Sequence, residues 1–118
     1  MSDCIFCKLG NKEIPTETVY EDDLVFAFRD MNPKAEVHYL FIPKKHIRSV
    51  NDFENGEDAS IVAVIFRAIA RVAERDGFAD SGYRIINNCG KDGGQSVPHL
   101  HFHVLAKQPI RFAEFDQD

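Results

Sequence analysis

Histidine at positions 99, 101 and 103 alternates with Leu100, Phe102 and Val104 in one apolar run, His99 to Leu105. Successive side chains of an extended chain point to opposite faces, so the three imidazoles share one side, roughly 6–7 Å from one to the next. Lys, Glu or Thr would solvate such a face without placing groups that titrate near neutral pH. A neutral imidazole, with an ordinary pKa of roughly 6.5, is both a nucleophile toward phosphorus and a metal ligand. Directly before the run stands Gly90-Lys91-Asp92-Gly93-Gly94-Gln95-Ser96. Gly93 and Gly94 can take positive φ, so their N–H groups could converge on an anion, and Ser96 adds a hydroxyl donor. A glycine-rich loop alone is usually a hairpin; beside three histidines it becomes a phosphate cradle next to a nucleophile.

A second set of reactive residues lies at the other end of the chain. Cys4 and Cys7 stand three apart, a spacing that brings two thiols to one face of a helical turn. Two thiolates do not complete a tetrahedral zinc site, so two further ligands would have to come from elsewhere. No βαβ pattern follows the pair, which argues against a thioredoxin-like role. Cys89 has no evident partner and reads as a small buried residue.

The elements that position these groups follow from pattern. Asp3 is placed to N-cap a short helix ending near Leu9, with Gly10 and Asn11 as the stop. Residues 18–20 and 24–29 read as strands around the turn Glu21-Asp22-Asp23. Val37 to Ile42 is a third strand ended by Pro43, and the chain then loosens through Phe53. Gly56 to Arg75 is the one long helix, with Val62, Ile65, Phe66, Ile69, Val72 and Ala73 as its apolar stripe and Gly77 as its end. Tyr83 to Asn87 is a fourth strand, and the histidine run is the fifth. Tight turns between strands plus one long helix predict an α+β domain with a mainly antiparallel five-stranded sheet.

Bulk properties bound the function. At 118 residues the chain reads as a single domain, 1–118, able to bury its own core. A net charge of -5 argues against a nucleic-acid partner, which requires a broad basic surface. The longest strictly apolar stretch, Ile61 to Phe66, is too short to cross a bilayer, so no membrane is expected. Met1 to Cys7 lacks the basic and apolar regions of a signal peptide, which points to the cytoplasm and to cysteines held as thiols or metal ligands.

The stretch Gly93 to Leu105, with Gln95-Ser96-Val97-Pro98 before the alternating histidines, resembles the histidine-triad (HIT) signature, and within it the nucleotide-binding branch. The likeness extends through Phe26 to Asp30 and His38 to His46, from about Cys4 to Ala106 in all. It implies a homodimer with a ten-stranded sheet, and a hydrolase of purine nucleoside 5′-phosphoramidates, above all adenosine monophosphate joined to an amine. By place in the motif His101 would be the nucleophile that becomes covalently nucleotidylated. His103 would contact phosphate oxygens or assist the leaving amine, and His38 would fix tautomers within the triad. Ser96, Gly94, Gln95 and Asn88 would hold the phosphate. Asp30 would accept the ribose hydroxyls, with Phe28 and Met31 lining the base pocket; equally, Phe28 and Met31 could be core and Asp30 a turn residue. The Cys-x-x-Cys together with His46 and His99 resembles a subset that binds structural zinc through those four residues, which assigns His99 to the metal.

Other functions fit parts of the pattern. Dinucleoside polyphosphate hydrolases form the neighbouring branch, but usually carry Thr where this chain has Ser96. A nucleotide sensor with vestigial hydrolysis would keep the pocket, and a three-histidine catalytic metal site would use the strand face differently. Two departures mark this chain: Pro98, at a position commonly aromatic in the family, and a tail after Leu105 without the Trp-Pro-Pro-Gly ending of eukaryotic relatives.

Overall fold

Antiparallel pairing runs through the whole sheet of this computed structural model, which describes residues 4–110. Its strands are β1 (Thr18–Glu21), β2 (Val25–Arg29), β3 (Val37–Pro43), β4 (Tyr83–Ile86) and β5 (Phe102–Ala106), in the order β1-β2-β3-β5-β4. Helices α1 (Ile5–Gly10) and α2 (Gly56–Arg75) complete the α+β fold, with a short 3-10 turn at Val50–Asp52. The turn before β2 forms as its composition dictates: Asp22 Oδ1 accepts the Leu24 and Val25 N–H groups, each at 2.8 Å. No helix among the described residues is long and apolar enough to cross a membrane.

Alternation along the strands sorts the sheet into two buried faces. Val25, Ala27, Val37, Tyr39, Phe41, Phe102 and Val104 pack on one side against Ile61, Ile65, Ala68, Ile69 and Val72 of α2. Asn55 caps that helix, its Oδ1 accepting the Asp58 N–H at 2.8 Å. The opposite face is built from Phe26, Phe28, Leu40 and Ile42, with Phe6 and Leu9 of α1 laid across them. All the imidazoles of His38, His99, His101 and His103 are buried. The histidine face is therefore interior, not a solvated surface.

Four expectations need correction. Cys4, not Asp3, is the N-cap of α1, and its Sγ accepts the Cys7 N–H at 3.4 Å. Asp3 lies outside the described residues. Phe66 is not in the buried stripe; it is 44% exposed and meets Phe102 edge-on at 5.5 Å. The buried arc runs instead through Ile61, Ile65, Ala68 and Val72, and Phe66, one residue on from Ile65, is rotated about 100° away from it. The fourth strand stops at Ile86, leaving Asn87 beyond it. Finally, β5 begins at Phe102, so His99 and His101 precede the strand. The register pairs Phe41 with Phe102, which sets Leu100 opposite Pro43, a residue without an N–H to continue the ladder. Leu100 donates its N–H to the Ile47 carbonyl at 2.6 Å instead. Facing still alternates: Leu100 enters the α2 core, while Phe6 lies edge-on to both His99 and His101.

Candidate active site and metal centre

The imidazoles form two groups, and in each the partner of one ring nitrogen fixes the state of the other. His101 Nδ1 lies 2.7 Å from the His99 carbonyl oxygen. A carbonyl only accepts, so Nδ1 carries the proton and Nε2 of the neutral ring carries the lone pair. Asn87 Nδ2 donates to the His101 carbonyl at 2.8 Å and fixes the backbone there. Beside it, the Lys34 N–H donates to His38 Nδ1 at 3.0 Å, which places the proton of neutral His38 on Nε2. Nε2 in turn lies 2.9 Å from His103 Nδ1 and 3.5 Å from Asp30 Oδ2. His38 therefore donates to His103, whose own proton sits on Nε2. The His101 and His103 rings are 5.2 Å apart, centroid to centroid.

Asp30 closes this group at the end of β2. Its Oδ1 accepts the Asn32 N–H at 2.7 Å, the Asx turn expected before Pro33, and its Oδ2 faces His38. Phe28 is buried, packed on Phe26 and Phe6, and so belongs to the lower core as much as to any pocket wall. Met31 is 90% exposed and packs too little to shape a pocket by itself. Asn88 is half-buried just past β4.

The glycine loop folds differently from the expected nest. Positive φ falls at Gly90 (73°) and Gly94 (83°), not at Gly93. Gly93 is required for another reason: a Cβ there would collide with the Cys89 carbonyl oxygen. Gly94 donates its N–H to Lys91 O at 3.1 Å and Gln95 to Gly90 O at 3.0 Å, so these donors are engaged inside the loop. Gln95 ties the turn together. Its Oε1 accepts the Gly90 N–H at 2.9 Å and its Nε2 donates to the carbonyls of Arg48 and Val97, at 2.7 and 2.9 Å. Ser96 follows, exposed, at the exit of the loop.

The second group is the thiol–imidazole cluster. Ligand atoms of Cys4, Cys7, His46 and His99 all lie within 4.8 Å of one another. His99 Nδ1 is 3.3 Å from Cys4 Sγ and 3.6 Å from Cys7 Sγ, and His46 Nδ1 is 3.2 Å from Cys7 Sγ. His99 Nε2 donates to the Pro43 carbonyl at 2.9 Å, which leaves the Nδ1 lone pair facing the sulfurs. A backbone carbonyl behind a ligating histidine is the usual orienting contact of a metal site. Two sulfur and two nitrogen donors at this spacing fit tetrahedral zinc. Burial, reinforced by the neighbouring imidazoles of His46 and His101, lowers the His99 pKa to about 4 and keeps it the neutral ligand a metal requires. Burial, with the adjacent Cys4, pushes the Cys7 thiol up to about 11. Without a cation beside it the Cys7 sulfur therefore stays protonated at neutral pH.

A family model of the HIT domain matches residues 11–110. The chain belongs to the HIT domain family. This HIT protein is 44% identical over 106 residues to the purine nucleoside phosphoramidase of Escherichia coli K12, covering 90% of this chain and 88% of that one. It is 41% identical to protein HitA of Neisseria gonorrhoeae, covering 89% and 96% respectively. A histidine triad protein from Clostridium difficile superposes with a TM-score of 0.91 at 50% identity, over 94% of this HIT protein and 96% of the other. The HIT family hydrolase of Legionella pneumophila gives 0.88 at 40% identity, over 94% and 98%.

Three contributors to the two groups were not legible in the sequence. Asn87 holds the His101 backbone, the Lys34 N–H sets the His38 tautomer, and Phe6 touches both groups. Only Phe6 had a usable signal, as the aromatic of the two apolar residues between the cysteines.

Proposed function

We propose that this HIT protein hydrolyses the P–N bond of purine nucleoside 5′-phosphoramidates, adenosine monophosphate joined to an amine, through a nucleotidyl-histidine. The observation that carries the reading is the hydrogen bond from His101 Nδ1 to the His99 carbonyl, which puts the lone pair of the neutral ring on Nε2, where a nucleophile needs it. The 44% identity to a purine nucleoside phosphoramidase supports this choice of substrate. In the first step His101 Nε2 bonds to the α-phosphorus and the P–N bond breaks. The departing nitrogen takes a proton from solvent, while His103 Nε2–H, left protonated by the donation from His38 to His103, donates a hydrogen bond to a phosphoryl oxygen. Water then attacks the phosphorus, the bond from phosphorus to His101 Nε2 breaks, a proton passes back to solvent, and adenylate is released.

Ser96, Gly94, Gln95 and Asn88 border the phosphate, the main-chain groups of Gly94 and Gln95 shaping the loop while the Ser96 hydroxyl faces the charge that develops. Asp30 accepts the ribose hydroxyls, Phe28 forms the floor of the base pocket and Met31 its rim. Cys4, Cys7, His46 and His99 would hold zinc, whose contribution would be structural, clipping α1 to the segment before β5. Two protomers join through β4, the sheet edge, to give a ten-stranded sheet, and the protein works in the cytoplasm.

Mass spectrometry after rapid quenching with a slowly turned-over adenylate ester tests the reading. An adenylate adduct on His101 is expected; steady turnover with the adduct on any other residue, or with none, would overturn it.

A further inference from the structure

Helix α1 has only six residues, too few to hold its shape unaided, so its position is set by what anchors it. Leu9 packs its C-terminal half on the sheet, and two further sets of contacts hold its N-terminal half. Its N-cap Cys4 and its Cys7 meet His99 and His46 in the thiol–imidazole cluster. Between those cysteines the buried ring of Phe6 points the other way, into the histidine face. It stands edge-on to His101 with centroids 5.0 Å apart at 84°, to His99 at 5.9 Å, and to Phe28 at 5.5 Å. One side chain thus touches the proposed nucleophile, a proposed metal ligand and a proposed base-pocket residue.

We infer that Phe6 is a positioning residue that couples metal binding to nucleotide binding. A cation drawing Cys4, Cys7, His46 and His99 together fixes α1, and the Phe6 ring then holds His101 and Phe28 in the arrangement a nucleotide needs. The inference rests on both the nucleotide and the zinc assignments proposed above. Because coupling free energy is reciprocal, a bound nucleotide must tighten the metal by the same factor as the metal tightens the nucleotide.

The test uses the full chain loaded with zinc. Zinc affinity is measured by equilibrium competition with a chromogenic chelator, with and without saturating AMP, and AMP affinity by calorimetry on zinc-loaded and stripped protein. Both affinities should change by one common factor of about five or more. Phe6→Ala should bring that factor to about one while zinc stoichiometry stays at one per chain, and Phe6→Tyr should restore it. AMP that binds without altering zinc affinity overturns the coupling and leaves the nucleotide reading standing. Coupling retained in Phe6→Ala overturns the role of Phe6, and zinc that does not bind overturns the inference whole. If Phe6→Ala fails to fold, Phe6→Leu takes its place, and coupling retained in that variant overturns the role of Phe6. A protein that binds no AMP would refute the proposed function as well.

Discussion

The two imidazole groups differ in what stands opposite the histidine nitrogens, although His99 and His101 are only two residues apart. In one group, backbone carbonyl and amide partners assign every proton: Lys34 N–H to His38, His38 to His103, His101 to the His99 carbonyl. In the other, His99 aims its Nδ1 lone pair at sulfur, and His46 Nδ1 lies 3.2 Å from Cys7 Sγ. A ring whose lone pair faces two thiols is set up to be a ligand, whereas one anchored to a carbonyl through Nδ1 presents its Nε2 lone pair as the proposed nucleophile requires. Residue type is the same in both; the neighbour on the opposite ring nitrogen makes the distinction.

Breaking the nucleophile side should have the largest effect. His101→Ala is expected to lower turnover of adenosine phosphoramidates by about 10⁴-fold or more while AMP still binds by calorimetry; turnover within tenfold of the unaltered protein would end the distinction. On the cluster side, Cys4→Ser/Cys7→Ser or a chelator should remove the metal and lower the melting temperature by on the order of 10 °C, without unfolding. That corresponds to about 4 kcal/mol at a thousandfold excess of zinc over its dissociation constant. Stoichiometric metal persisting in the double variant would instead favour a site on the histidine run, and outright unfolding would show that the core is weaker than its two faces suggest.

Acid should separate the groups next. His99 has a folded pKa of about 4 against 6.5 when free, so between those values the unfolded chain binds the additional proton. Stability of the metal-free protein should therefore be undiminished above about pH 6.5 and fall as pH drops toward 4, by no more than about 3 kcal/mol. Urea titrations at several pH values would measure it, and a flat profile in that window would place His99 in a wetter setting. The smallest change should come from His38→Ala, which removes the donor to His103 and is expected to lower kcat about 10- to 100-fold, with zinc content unchanged.

Much of the fold was legible because periodicity is a local property. The helix Gly56–Arg75 and the strand spans near residues 18–29 and 37–43 follow from apolar spacing and from Asp22, Pro43 and Gly77 as punctuation. The alternation from His99 to Val104 correctly separated the imidazoles from Leu100, Phe102 and Val104. Its hydrogen bonding could not be foreseen, because it depends on Pro43 lying across the sheet, 57 positions from Leu100. Phe66 escaped for a similar reason: an apolar stripe states which residues prefer burial, and the width of the sheet beneath decides which of them obtain it.

Sequence by itself determined which residues are able to do chemistry and which face of each element they occupy, since side-chain type and the periods of strand and helix are written in the chain. Tertiary structure decided what stands opposite each histidine nitrogen. That choice lies in contacts from distant segments: a carbonyl of Pro43, an amide of Lys34, two sulfurs of α1. A proton's position on an imidazole is a property of its partner, and partners exist only once the chain has folded.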